Sequence, residues 1–145
     1  VDGSGPLLAR LLTESGFTVV STVVVPDEIP MVAEALRASA ETASLVVTTG
    51  GTGLAPRDVT PEATMQVCTR TVPGLSELMR LEGMKQTPMA SLSRGVCGTV
   101  GQTLILNLPG SPAGAVASLR TVLPLVPHAL DLLVGKTEHA KPLES

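Results

Sequence analysis

The chain has 145 residues, a formal net charge of −3, 43% hydrophobic residues and a single phenylalanine as its whole aromatic content. This suits one domain with an aliphatic core and excludes a disordered polymer. Without stacking aromatics or a basic surface, neither single-stranded nor duplex nucleic acid is an expected partner.

Residues 4–15 have helical spacing, with Leu7, Leu8, Leu11 and Leu12 on one stripe and Gly16 as the stop. Residues 17–25 are β-branched and apolar and predict a strand. Pro26 and Asp27 close it, and Ile29, Val32, Ala33, Leu36 and Ala40 mark a helix over 28–40. A second strand follows over 44–49, so 17–49 has the length of a right-handed parallel crossover. Thr60 as N-cap and Pro61 at the first helical position open a helix over 61–71. Another helix covers 75–85, with Leu75, Leu78 and Met79 inward. Residues 89–94 and 102–107 read as strands around a turn containing Gly95, Gly98 and Gly101. Pro112 opens a helix to about Leu119, and a last helix over 121–134 is kinked or interrupted by Pro124 and Pro127. Residues 135–145 form a polar tail. The alternation predicts an α/β fold of three layers, a mostly parallel sheet flanked by helices, with ligands at the carboxyl ends of strands.

The stretch 48–64 carries the most chemistry. It runs from a strand through Gly50, Gly51 and Gly53, with Thr48, Thr49 and Thr52 among them, to Arg57 and Asp58 before a helix. Glycines let backbone N–H groups approach an anion, and the threonines add hydroxyl donors. A structural turn does not need that set of side chains. It is neither a P-loop, because no Lys-Ser or Lys-Thr follows, nor a G-x-G-x-x-G loop. A carboxylate beside phosphates points to a metal ion or a positioned nucleophile. Asp27 reads on residue type alone as an ordinary N-cap. Arg57 suits a phosphate or a surface pair with Glu62. Gly110 and Ser111 stand at the entrance of the helix begun by Pro112, a ready anion site. Glu77 and Arg80 read as packing or subunit contacts, and His128 and His139 are isolated. Cys68 and Cys97 have no metal-ligand spacing and read as reduced thiols. No apolar run is free of Pro, Gly or charge over a bilayer's width, and no signal peptide is recognisable. A cytoplasmic protein without a membrane partner is expected.

The stretch 48–64 resembles the signature loop of the molybdopterin adenylyltransferase family, the MogA/MoaB type that includes the G domain of gephyrin. Three more stretches resemble that family in the same order: Val25-Pro26-Asp27-Glu28, Pro73 to Arg80, and Ser93-Arg94-Gly95-Val96-Cys97-Gly98 followed by Leu106-Asn107-Leu108-Pro109-Gly110-Ser111-Pro112. The resemblance implies transfer of AMP from ATP to molybdopterin with Mg²⁺, releasing pyrophosphate, or binding of the pterin without robust turnover. It implies Asp58 and Asp27 as the catalytic acids, with Asp58 the residue to which Mg²⁺ is assigned. Thr48, Thr49, Gly50, Gly51, Thr52, Gly53, Arg57, Ser93, Arg94, Asn107, Pro109, Gly110 and Ser111 would bind the nucleotide and the pterin. A homotrimer is implied as well. The family's first strand should precede the helix near Ser4, whereas Val1-Asp2-Gly3-Ser4 already lies in the following loop. One N-terminally incomplete molybdopterin-binding domain over 1–145 is therefore expected, with an upstream segment in the natural protein.

Overall fold

The computed structural model describes residues 4–136. In chain order the helices are α1 (Gly5–Glu14), α2 (Ile29–Thr42), α3 (Thr60–Val67), α4 (Pro73–Met84), α5 (Pro112–Val122) and α6 (Val126–Leu133). The strands are β1 (Leu45–Thr49), β2 (Arg70–Thr71), β3 (Cys97–Val100) and β4 (Thr103–Leu108), in the spatial order β1-β4-β3-β2. β1 runs parallel to β4, with Thr49 opposite Leu108. The β3–β4 and β2–β3 pairs are antiparallel, so the sheet is mixed. The reason is local: only Gly101 and Gln102 separate Val100 from Thr103, and so short a connection makes a hairpin. Gly101 takes φ +56° there.

β4 is the centre of the molecule, buried along its whole length. Its alternation splits the core into two layers. Leu104, Leu106 and Leu108 pack with Leu8 of α1, Leu75 and Met79 of α4, Leu119 of α5 and Val126 of α6. Ile105 points the other way, against Ala33 and Leu36 of α2 and Ala63 and Val67 of α3. The three-layer α/β architecture follows from this one strand.

Three segments depart from the sequence reading. Residues 17–25 are not a strand: they are irregular, and Val20, Val23 and Val24 are 62%, 62% and 82% exposed. Strand character needs backbone partners to become a strand, and 17–25 pairs with no described strand, although the edge of β1 away from β4 carries none. Residues 89–94 are also not a strand. Pro88–Leu92 is a 3₁₀ helix, begun where the Thr87 hydroxyl accepts a hydrogen bond from Met89 N at 3.2 Å. The helix expected over 61–71 stops at Val67, because Thr69 N reaches Thr99 O at 2.9 Å and starts the β2 pairing. Thr60 is the first helical residue instead of the cap. The last helix is interrupted, as its prolines imply: Pro124 sits in a 3₁₀ turn, Leu123–Leu125, and Pro127 in the first turn of α6.

The continuous stretch Pro112–Leu133 is apolar and long enough to cross a membrane by length and composition. Here it is broken by the 3₁₀ turn, and Ala115, Leu119, Val122 and Val126 join the core. His139 and the tail beyond Lys136 lie outside the described residues.

Candidate active site

The parallel ends of β1 and β4 bring two loops together. Gly50 N donates to Leu108 O at 3.1 Å, and Thr49 Oγ1 donates to Pro109 O at 2.9 Å. A Cβ on Gly110 would lie 3.2 Å from Gly50 Cα, so the two backbones pack closely and a larger residue at 110 would have to push them apart by a few tenths of an ångström. Gly51 has φ +69°, and a Cβ there would run into the Thr60 hydroxyl. Below this floor, buried Asn107 donates to Thr48 Oγ1 at 3.0 Å and to Thr64 Oγ1 at 3.1 Å. Its Oδ1 accepts from Val96 N at 3.1 Å. Asn107 therefore ties β1, β4, α3 and the segment leading into β3 to one another.

The rest of the glycine loop is fastened by Arg94. Its backbone N donates to Thr52 O at 2.8 Å, Nε to Gly53 O at 2.8 Å and Nη2 to Asp58 O at 2.7 Å. Nη1 pairs with Glu62 Oε2 at 2.6 Å. The guanidinium holds the Glu62 carboxyl below its usual range, and Glu62 raises that of Arg94. Asp58 Oδ2 accepts from Ala55 N at 3.0 Å, and no described residue bonds its other oxygen. On the opposite wall Ser111 caps α5, its hydroxyl accepting from Gly114 N at 3.2 Å.

These loops floor a crevice of about 660 Å³ that α4 and the Pro88–Leu92 turn close from the side. Of the residues nominated from sequence, it is lined by Gly50, Gly51, Thr52, Gly53, Asp58, Ser93, Asn107, Pro109, Gly110 and Ser111. Five others lie outside its lining. Thr48 and Thr49 use their hydroxyls for the floor and face a second groove of about 760 Å³ on the far side of Gly50-Gly51, along the free edge of β1. Exposed Asp27 lies in that groove too. Arg57 is exposed and lines neither, and Glu62, its nominated surface partner, is taken by Arg94. Arg94 lies outside the crevice and braces its wall. The two acids thus stand in adjoining spaces that share Gly50 and Gly51.

Sequence reasoning missed Arg80, which lines the crevice with Met79 one residue before it. Its position in the Pro73–Arg80 stretch was the available signal. For a cation, the donor set at the glycine end is one hard carboxylate, Asp58. No group of three or more metal-ligating side chains exists among the described residues. One carboxylate with an oxygen to give fits Mg²⁺, which takes most of its ligands from water and substrate phosphates.

A glycine-lined floor between parallel strand ends, a capped helix start opposite it and one carboxylate make an α/β domain with a polar crevice at its strand ends, where such folds bind ligands. Comparison with known proteins narrows this. The chain belongs to the family described as the probable molybdopterin binding domain, whose sequence model matches residues 1–128. It is 47% identical over 135 residues to the molybdenum cofactor synthesis protein cinnamon of Drosophila melanogaster, covering 91% of this chain and 22% of that protein. It is 50% identical over 91 residues to a molybdopterin adenylyltransferase of Helicobacter pylori, covering 63% of this chain and 52% of that one. The chain thus spans about a fifth to a half of the length of these curated relatives. Among solved structures it resembles the molybdopterin biosynthesis enzyme MoaB of Thermus thermophilus, with a TM-score of 0.87 and 54% identity over 94% of this chain and 87% of that one. The Mog protein of Mycobacterium ulcerans gives 0.88 and 45%, over 93% and 88%. The fold is MogA/MoaB-like.

Proposed function

We propose that this domain works in molybdenum cofactor biosynthesis as a molybdopterin adenylyltransferase. The observation that carries the reading is the position of Asp58, held by Ala55 N at the mouth of a crevice floored by Gly50–Gly53 and Gly110-Ser111. A phosphate oxygen of the pterin attacks the α-phosphorus of ATP, the bond from that phosphorus to the bridging oxygen breaks, and pyrophosphate leaves with the electron pair. Such transfer needs in-line placement and charge compensation more than covalent help. The backbone N–H groups of the glycine loop and the N-terminus of α5 hold phosphate oxygens. Mg²⁺, when bound at Asp58, supplies charge neutralisation of the phosphates. The pterin and the nucleotide straddle Gly50-Gly51, so that Asp27 orients the partner on the far side.

The name of the Helicobacter pylori relative and the likeness to MoaB support this reading. With it go a homotrimer, testable by light scattering, and a cytoplasmic site of action. The decisive assay is pyrophosphate release from ATP by the whole protein, with and without molybdopterin. Release only with the pterin is expected. Tight pterin binding with no pyrophosphate would sink the reading in favour of a scaffold that binds the pterin, and release without pterin would indicate a hydrolase.

A further inference from the structure

Arg80 is half-buried in the α4 wall of the crevice. Its Nη1 donates to Ser93 O at 3.3 Å and to Gly95 O at 3.0 Å, which fixes the plane of the guanidinium. Both partners are neutral carbonyls. Among the described residues the ion pairs are Arg94–Glu62 and Lys85–Glu82, and neither involves Arg80. Nη1 makes both bonds, so the three N–H donors on Nε and Nη2 are bonded to no described residue, and none of the five meets a carboxylate. A cation drawn partly out of water without a counter-ion is unfavourable unless a ligand brings the charge. The field of Arg80 is felt deep in the protein, where it lowers the tendency of the Cys97 thiol to stay protonated against a larger effect of burial.

The other charges around the crevice leave this role to Arg80. Glu82 and Lys85 neutralise each other at 2.7 Å on the rim. Asp58 stands at the glycine end and repels a phosphate unless a cation joins it. Arg94 is engaged by three carbonyl or carboxylate groups of the wall, and Arg57 is outside. We propose that Arg80 is a phosphate-binding residue of this crevice, holding a phosphoryl group that enters between the glycine loop and α4. The assignment rests on the crevice being the substrate site. Its ligand chemistry is a phosphate ester or polyphosphate, whether on the nucleotide or on the pterin. The bidentate guanidinium fork suits that group.

The test measures calorimetric affinity of the whole protein for pyrophosphate, ATP and molybdopterin, in wild type, Arg80→Gln and Arg80→Lys. Gln can still donate to the Ser93 and Gly95 carbonyls but carries no charge. Arg80→Gln is expected to weaken a phosphate-bearing ligand by about tenfold or more, the scale of a charge-assisted contact, and to flatten the salt dependence of binding. Arg80→Lys should recover part of both. Loss confined to ATP and pyrophosphate assigns the nucleotide phosphates, and loss confined to molybdopterin assigns the pterin phosphate. Affinities within twofold of wild type for all three ligands would overturn the proposal, as would a loss that keeps the wild-type salt dependence. Wild type that binds none of the three would overturn it too. If pyrophosphate binds through Arg80 but no pyrophosphate is ever released from ATP, the enzymatic reading fails and Arg80 remains an anion site.

Discussion

Gly50-Gly51 is a ridge with a different landscape on each side. On one side lies the crevice of Asp58 and Arg80, walled by α4 and α5 and built on β4, whose Leu104 to Leu108 are all buried. On the other lies the groove of Asp27, floored by the free edge of β1 and walled by residues 17–25, whose valines face solvent. The same residue types produce both. β4 is held by neighbours on both edges, and 17–25 is held by no described strand. A site on the closed side inherits a fixed geometry, and a site on the open side does not.

The largest effect expected from this difference is that of Asp58→Asn. The substitution keeps an acceptor for Ala55 N but removes the charge. Pterin-dependent pyrophosphate release should fall by about a thousandfold in kcat, the scale of losing a principal electrostatic group, while ATP still binds. Unchanged kcat would remove the closed crevice from the chemistry. Asp27→Asn comes next, with kcat lower by about a hundredfold, since its groove shares the glycine ridge. An effect of Asp27→Asn equal to that of Asp58→Asn would make the two spaces one site. No effect would confine the reaction to the closed side.

Gly53→Ala should have a middling effect. Its Cβ would lie 2.8 Å from Asp58 Oδ2, so the carboxylate must swing away, yet the backbone conformation suits alanine. About a tenfold loss in kcat with little change in thermal stability is expected, because only the acid moves. A large drop in melting temperature with kcat intact would show that the loop relaxes around the methyl and Asp58 stays in place.

Much of the closed side was legible in the sequence. The strand of 44–49, the glycine loop and the Ser111-Pro112 helix start are local features, specified by apolar runs, φ requirements and capping residues. The nominated binders that left the crevice did so for non-local reasons. Arg94 is diverted by carbonyls at Gly53 and Asp58, 41 and 36 residues away along the chain, and no spacing rule exposes that. Arg80 read as a packing or subunit contact, and its place in the crevice wall depends on carbonyls of the 93–95 turn that no local spacing reveals. On the open side, the β-branched, apolar composition of 17–25 gave strand character, but whether a strand forms depends on backbone partners elsewhere.

That difference is measurable by amide exchange without any ligand. Amides of β4 should exchange only on global unfolding, while those of 18–25 should exchange about as fast as an unstructured chain, having no sheet partner. Slow exchange over 18–25 would mean that a strand or another copy of the chain closes the free edge of β1, and the contrast between the two sides would vanish.

The smallest effect concerns the thiols. Cys97, in β3 beside β4, is 1% exposed, and burial pushes its thiol up to about 12 from 9.0. Burial also raises Cys68, which is only partly covered. With the proton held more tightly when folded than when unfolded, the Cys97 contribution is complete below pH 9 and declines as pH rises from there towards 12. Unfolding by urea at rising alkaline pH should therefore show a steeper loss of stability in wild type than in Cys97→Ala, by at most about 1.4 kcal/mol per pH unit. Iodoacetamide at neutral pH should mark Cys68 first and reach Cys97 only through unfolding. Rapid labelling of Cys97 in the folded protein, or equal alkaline slopes for the two proteins, would show that the sheet is open on the β3 side as well. The closed half would then owe its order to the helices alone.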